Sequence, residues 1–378
     1  MLEAAPPNPL RALIEEAWRR ARRRRMAVVV LMAIAAASAS ALYLLAVGGG
    51  GARTKASSPN SRPAVRPLPG TARAPIENPS ALALWTRRRG LIGSNAGVIS
   101  FLRVDRLSVY PRTRTRQPVL SLQTVGRETA IAQLGTGRYL RSDDAGRHWH
   151  PFPLRYPTSF ATPTVGLAYR FTPLVRRKGG GWSNTMQLLY TKTGGRTWTL
   201  RPAPCGGDPS LVDLVTPRLG WLMCLGQGGA GNEAKLLYRT NDGGRTWHSL
   251  VRVLMMPGEP GGSDRSHGLT SYGYPQGISF ARDGFGLLWE SRGTLYVTRD
   301  GGSHWIAEPK VARPEEDFGY GGAALSNGRG FVLLSRGGGP NARLLETRDY
   351  GRTWRGVFGW SSTGTVILPH HFWTGASR

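Results

Sequence analysis

Hydrophobic residues follow two different patterns along this chain of 378 residues. From Met26 to Val47, 22 consecutive and mostly apolar residues run without a charge. As a helix this run spans roughly 33 Å at about 1.5 Å per residue, enough for a hydrocarbon core of about 30 Å. From residue 80 onward the apolar residues come instead in short runs bounded by Gly, Asp, Asn, Ser and Pro, with no helical period. Such runs predict β-strands. Their order repeats. A strand such as Leu211–Val215 or Gly277–Phe280 comes first. The next is entered through Gly, as in Gly220–Cys224, Gly286–Trp289 and Gly330–Leu334. A third follows, as in Gln187–Tyr190, Lys235–Tyr238, Thr294–Val297 and Arg343–Glu346.

The third strand leads into an octapeptide, present in five clear copies: Ser142–Trp149, Thr191–Trp198, Thr240–Trp247, Thr298–Trp305 and Thr347–Trp354. The closing tryptophans are 49, 49, 58 and 49 residues apart. A fixed period near 50 marks a propeller or a solenoid. The long interval holds the Gly/Ser-rich run Pro257–Gly273, a loop insertion. Four short strands per period describe a propeller blade, with the Trp opening the fourth strand. Residues 80–378 hold six such units, so the expected fold is an all-β, six-bladed β-propeller of four-stranded antiparallel blades, with seven blades as the alternative. The unit without an octapeptide, residues 80–116, has strands at Ala81–Trp85, Gly90–Ile92 and Gly97–Leu102. The C-terminal stretch Thr365–Leu368 is expected to complete it and close the ring.

Each octapeptide position has a physical task. The fifth residue, Gly146, Gly195, Gly244, Gly302 or Gly351, supplies the positive φ of a hairpin tip. The third, Asp144, Asp242, Asp300 or Asp349, accepts hydrogen bonds from its own turn; Thr193 stands there in the second copy. The opening hydroxyl of Ser142, Thr191, Thr240, Thr298 or Thr347 ties the two strands. Trp149, Trp198, Trp247, Trp305 and Trp354 are expected to fill the space between blades. These are structural roles.

The octapeptides resemble the Asp-box, or bacterial neuraminidase repeat, with pattern Ser/Thr-x-Asp-x-Gly-x-Thr-Trp. His148 and His304 depart from it at the Thr position. With the Gly-aromatic strand upstream, the set is similar to photosystem II stability/assembly factor-like, sortilin-like and sialidase-like propellers. The resemblance implies a fold and leaves the activity open. A sialidase would add an arginine triad, a Tyr/Glu pair and an acidic acid/base. The Arg-Ile-Pro opening of that family is absent here, where the corresponding region reads Trp85-Thr-Arg-Arg-Arg-Gly-Leu-Ile. Nothing in the spacing selects Glu290 and Tyr320 as a pair.

Charge sharpens the picture. The chain has 50 Lys+Arg against 23 Asp+Glu, a formal net charge of +27. Arg11 to Arg25 supply seven basic residues before the apolar run, and Gly48 to Arg66 supply four after it. That bias orients a single span with its N-terminus in the cytoplasm. The expected organisation is therefore a basic cytoplasmic segment 1–25, a transmembrane helix 26–47, a Pro/Gly/Ser/Arg-rich tether 48–79 and an extracytoplasmic propeller 80–378. A cleaved signal peptide is the competing reading, from the small residues at 37–41.

No cofactor or metal is expected, since the histidines lack ligand spacing and there are two cysteines. Cys205 and Cys224 either form one disulfide or stand as separate buried thiols. Arg87-Arg88-Arg89, Arg112/Arg114/Arg116 and Arg176-Arg177-Lys178 make an anion-binding patch if they share a face; solvated loop arginines in a GC-rich coding sequence are the other reading. The expected function is a binding or scaffold module, not an enzyme, for a protein or anionic polymer and not for nucleic acid. The alternative is a sialidase-like glycoside hydrolase.

Overall fold

The computed structural model describes residues 66–67, 79–106, 108–173, 175–176, 182–206, 210–254, 265–291, 294–308, 311, 316–317, 321–336, 342–360 and 366–367. The expected cytoplasmic segment, transmembrane helix and most of the tether lie outside them. Among the described residues no helix is long and apolar enough to cross a membrane.

The chain builds six antiparallel four-stranded blades in sequence order. Blade one comprises Pro79–Thr86, Arg89–Ser94, Val98–Arg103 and Ser108–Arg114. Blade two comprises Val119–Val125, Thr129–Leu134, Tyr139–Ser142 and His150–Phe152. Blade three comprises Thr158–Phe160, Gly166–Phe171, Met186–Thr191 and Thr199–Arg201. Blade four comprises Ser210–Leu214, Gly220–Gly229, Asn232–Thr240 and His248–Val253. Blade five comprises Tyr274–Phe280, Gly286–Ser291, Leu295–Thr298 and Ile306–Glu308. Blade six comprises Gly322–Leu325, Arg329–Arg336, Ala342–Thr347 and Arg355–Trp360. The first strands line the axis and touch in the cyclic order one to six and back to one.

Ring closure differs from expectation. Blade one makes its fourth strand from its own Ser108–Arg114, so no place is left in it for the C-terminus. Val366–Ile367 pairs instead with Gly359–Trp360, on the outer edge of blade six. Arg66–Pro67, inside the expected tether, pairs with Thr113–Arg114 on the outer edge of blade one. The ring closes through side chains: Leu82, Leu84, Ile92 and Leu102 of blade one share an apolar cluster with Phe331, Leu333, Leu344 and Trp360 of blade six.

All five octapeptides join third and fourth strands. In the last, the Thr347 hydroxyl donates to Asp349 Oδ1 at 2.8 Å and accepts the Gly351 N–H at 2.9 Å. Asp349 Oδ1 also accepts the Thr353 N–H at 2.9 Å, and Oδ2 the Thr353 hydroxyl at 2.6 Å. Where His replaces Thr, ring Nδ1 takes over: His148 lies 2.5 Å and His304 2.7 Å from Oδ2 of its aspartate. Where Thr193 replaces Asp, its hydroxyl meets both the N–H and the hydroxyl of Thr197 at 2.9 Å. Gly351 has φ +79°, and a Cβ there would lie 2.7 Å from Val297 of blade five. Each turn thus lies against the preceding blade, and Trp149 and Trp305 are buried at such junctions.

Partial burial alone would raise the Asp349 carboxyl, but hydrogen bonds from Thr353 and Thr347 outweigh it and hold it below the usual range. Asp349→Ala is expected to cost about 1–3 kcal/mol, because turn N–H groups lose their acceptor. A folded-state carboxyl below its unfolded value of about 3.9 stabilises fully above that pH, and the gain is lost as pH falls through the folded value. Urea unfolding should therefore show a gap between wild type and variant at pH 7 that narrows at pH 3.

Candidate functional site: central channel and a basic seam cleft

Four of the six first strands carry a polar side chain at one equivalent position, and it reaches the next blade. Gln123 Oε1 accepts the Phe160 N–H at 3.0 Å, and Ser159 Oγ accepts the Leu214 N–H at 2.9 Å. Asp213 Oδ2 accepts the Phe280 N–H at 2.6 Å, and Ser279 Oγ the Ala324 N–H at 3.0 Å. Four of the six junctions are bridged in this way. Blade six has Ala323 and blade one Ala83 at the equivalent position, and neither side chain has an acceptor. Blade one is joined to blade two by other bonds, from Ser80 Oγ to the Val119 carbonyl at 2.6 Å and from the Trp85 indole to the Thr129 carbonyl at 3.0 Å.

These bridges surround an axial cavity of about 420 Å³. Asp213 is the one carboxylate among its described lining residues. Burial pushes the Asp213 carboxyl up to about 7, against the opposing pull of the Phe280 N–H and Ser159. The unfolded value is about 3.9. The folded state therefore holds this proton more tightly, and stability falls as pH rises from about 4 to about 7. Asp213→Asn keeps an oxygen acceptor for Phe280 and removes the titration. Denaturant midpoints at pH 5 and pH 8 should differ less in this variant than in wild type by the amount this group contributes.

The three basic clusters named from sequence are not brought together on one face. In an antiparallel blade, turns from strand one to two and three to four lie at one end, and turns from two to three at the other. Arg87 and Arg88 form a first-to-second turn on the octapeptide face. Val175–Arg176 lies in the second-to-third hairpin of blade three, on the opposite face, and Arg177 and Lys178 fall outside the described residues. Arg112 and Arg114 sit on the outer strand of blade one, with the Arg112 guanidinium 5.3 Å from the Phe101 ring centre; Arg116 follows that strand. Arg89 is engaged in packing, donating to the Arg127 carbonyl at 2.9 Å.

Arg87 and Arg88 instead face residues of blade six. With Arg329, Arg348 and Arg355 they line a cleft of about 440 Å³ at the seam of blades six and one. Glu346 forms its floor, with a side chain 1 % exposed. It pairs with Arg329 Nη1 at 3.3 Å, with Arg348 Nε at 3.1 Å and with the Arg355 guanidinium, whose Nε lies at 2.9 Å. Asp105 at the rim is engaged by Arg103 at 3.0 Å, and this bond holds its carboxyl below the usual range. Part of the cleft had a sequence signal. The residues flanking an octapeptide face each other across the hairpin, and only the last copy has opposite charges there, Glu346 and Arg355.

The other candidates resolve locally. Cys205, in the connection from blade three to four, forms a disulfide with Cys224 on the second strand of blade four, with Cα atoms 5.5 Å apart. Glu290 is fully buried and lies 2.9 Å from Lys235 Nζ, itself fully buried. It does not face the channel, and Tyr320 lies outside the described residues. Lys235 Nζ also donates to the Thr270 and Tyr272 carbonyls at 2.7 and 2.8 Å, anchoring the described end of the insertion against blade four. Burial pushes the Glu290 carboxyl up and the Lys235 ammonium down, and each opposes the shift of the other.

No family model matches the chain. It is 27 % identical over 268 residues to a xyloglucanase of Paenibacillus sp; the match covers 62 % of this chain and 25 % of that protein, so the chain spans about a quarter of its relative. Among solved structures, YCF48 bound to D1 peptide matches with a TM-score of 0.44 and 13 % identity, over 76 % of this chain and 97 % of that one. The xyloglucanase of Xanthomonas campestris matches with a TM-score of 0.41 and 13 % identity, over 76 % of this chain and 47 % of that one. The propeller assignment rests on the blades themselves.

Proposed function

We propose that this chain is a membrane-anchored, extracytoplasmic binding or scaffold module: a propeller of Asp-box type, held by residues 26–47, with residues 1–25 in the cytoplasm. Its ligand on this reading is a protein or an anionic polymer. The observation that carries the reading is the seam cleft, where guanidinium groups outnumber carboxylates on a rigid wall. The octapeptide carboxylates support it indirectly, because each is consumed in holding its own turn. Cross-linking followed by affinity capture of the full chain from its native cells tests it. A specific partner is expected, and charge reversal by Arg88→Glu with Arg348→Glu should abolish its recovery. No specific partner would defeat the reading.

A second reading, a glycoside hydrolase, draws on the likeness to the Paenibacillus xyloglucanase. A raised carboxyl such as Asp213 suits a general acid. Glycoside hydrolysis requires two carboxylates flanking the scissile bond, and Asp213 has no carboxylate companion among the described channel residues. Turnover of xyloglucan or sialosides by the purified chain, lost in Asp213→Asn, would establish this reading in place of the first.

A further inference from the structure

We propose that the seam cleft is a binding site for a phosphate dianion, whose occupant clasps blade one to blade six. This deepens the binding reading above by naming the ligand chemistry of one site.

Two walls converge on the cleft. Blade one contributes Arg87 and Arg88, both exposed. No hydrogen bond or ion pair engages either side chain among the described residues. Blade six contributes Arg329, Arg348 and Arg355, all held by the buried Glu346. A guanidinium has five N–H donors in a fixed fork, so one carboxylate leaves most of fifteen or so donors on that wall unused. Glu346 therefore orients the forks without consuming them. It also neutralises only one of the five positive charges, since Asp105 is already paired with Arg103.

The chemistry of the lining selects the ligand. Guanidinium forks bind phosphate and carboxylate in bidentate fashion. A planar carboxylate serves one wall, and on blade six that position is already filled by Glu346. A tetrahedral dianion presents oxygens in several directions and reaches forks on both walls. The lining has Val104 and Val357 as its apolar side chains and no aromatic ring, which gives a peptide little to pack against.

The position adds a consequence. The bridge from a first-strand side chain to the next blade is missing at this junction, where Ala323 has no acceptor. A ligand held by Arg88 on one side and Arg348 on the other supplies a polar link across the seam. Occupancy should therefore raise the stability of the ring by mass action.

The test uses the full-length protein in mild detergent. Inorganic phosphate is titrated by calorimetry and by thermal melting at fixed ionic strength, with chloride as the control salt. Binding to vesicles of phosphatidic acid in phosphatidylcholine is measured alongside. Arg87→Gln/Arg88→Gln touches exposed side chains without partners, so its fold should be retained; Arg348→Gln probes the other wall. At least tenfold weaker phosphate binding in both variants, with loss of the phosphate-dependent rise in Tm, supports a free phosphate compound as the ligand. Loss of vesicle binding alone supports the same site with a lipid headgroup as the source. Variants indistinguishable from wild type toward both probes, or an equal rise in Tm with chloride, would overturn the proposal. Partner capture that survives in Arg87→Gln/Arg88→Gln while neither probe binds would overturn the cleft and leave the module reading standing. Intact phosphate binding with failed capture would do the reverse.

Discussion

Trp221→Ala should destabilise the propeller by about 3–5 kcal/mol, the range of large aromatic truncations in packed cores. Trp221 lies on the second strand of blade four and is 1 % exposed. Its ring stacks on Phe280 of blade five at 4.0 Å and 2°, and Trp305 meets Phe280 edge-on at 5.9 Å. The indole N–H donates to the Gly301 carbonyl at 2.8 Å, inside the octapeptide turn of blade five. Truncation opens a cavity at a blade junction and leaves a buried carbonyl without its donor. Trp221→Phe keeps part of the ring packing but also leaves the buried Gly301 carbonyl without its donor, so it should cost about 1–3 kcal/mol, less than Trp221→Ala. Trp247 is half-buried, with its indole bonded to the Pro202 carbonyl at 3.1 Å, so Trp247→Ala should cost less than Trp221→Ala. Urea unfolding of the variants measures this order. Equal losses at the two positions would mean that the stacked junction contributes nothing special.

Lys235→Met should cost about 3–5 kcal/mol at pH 8, since it leaves the buried Glu290 charge without its partner. It also removes the donor to the Thr270 and Tyr272 carbonyls. Limited proteolysis should then cut the insertion between blades four and five before the ring unfolds. The pH dependence has a definite sign. Burial already lifts the Glu290 carboxyl to about 7, and losing Lys235 lifts it further. A folded value above the unfolded value of about 4.3 means that stability falls as pH rises between the two. The deficit of the variant should therefore shrink at pH 5, where Glu290 is neutral. Lys235→Met/Glu290→Gln should recover part of the loss at pH 8. A deficit independent of pH would show that the carbonyl contacts, and not the charge, dominate.

The repeat was legible because its information is local. Within each octapeptide the bonds run between residues at most four apart, as from Thr347 to Gly351 and from Asp349 to Thr353. That locality also explains why Thr193 and His304 could be placed correctly in the turn despite departing from the pattern. The unit without an octapeptide reads from sequence as one strand short, because Ser108–Arg114 has Pro111 and two arginines where the other fourth strands follow a Trp. The C-terminal stretch was then assigned to it, whereas the hairpin register carries that stretch to blade six.

The amino-acid sequence by itself determined the blade unit and the turn that ends the third strand in five of the blades, while the choice of six blades over seven came from the observed sheets. The unit and its turn follow from short-range hydrogen bonds, glycine conformations and alternation of apolar residues. The tertiary structure alone decided how the ring closes, which arginines share a face and that Glu290 is buried. Antiparallel alternation sends Arg87 and Arg176 to opposite ends of their blades, although both stand in basic runs. Ring closure brings Arg88 to Arg348, 260 positions away in sequence. No local interaction encodes that approach; it exists only because six similar blades complete one turn around the axis.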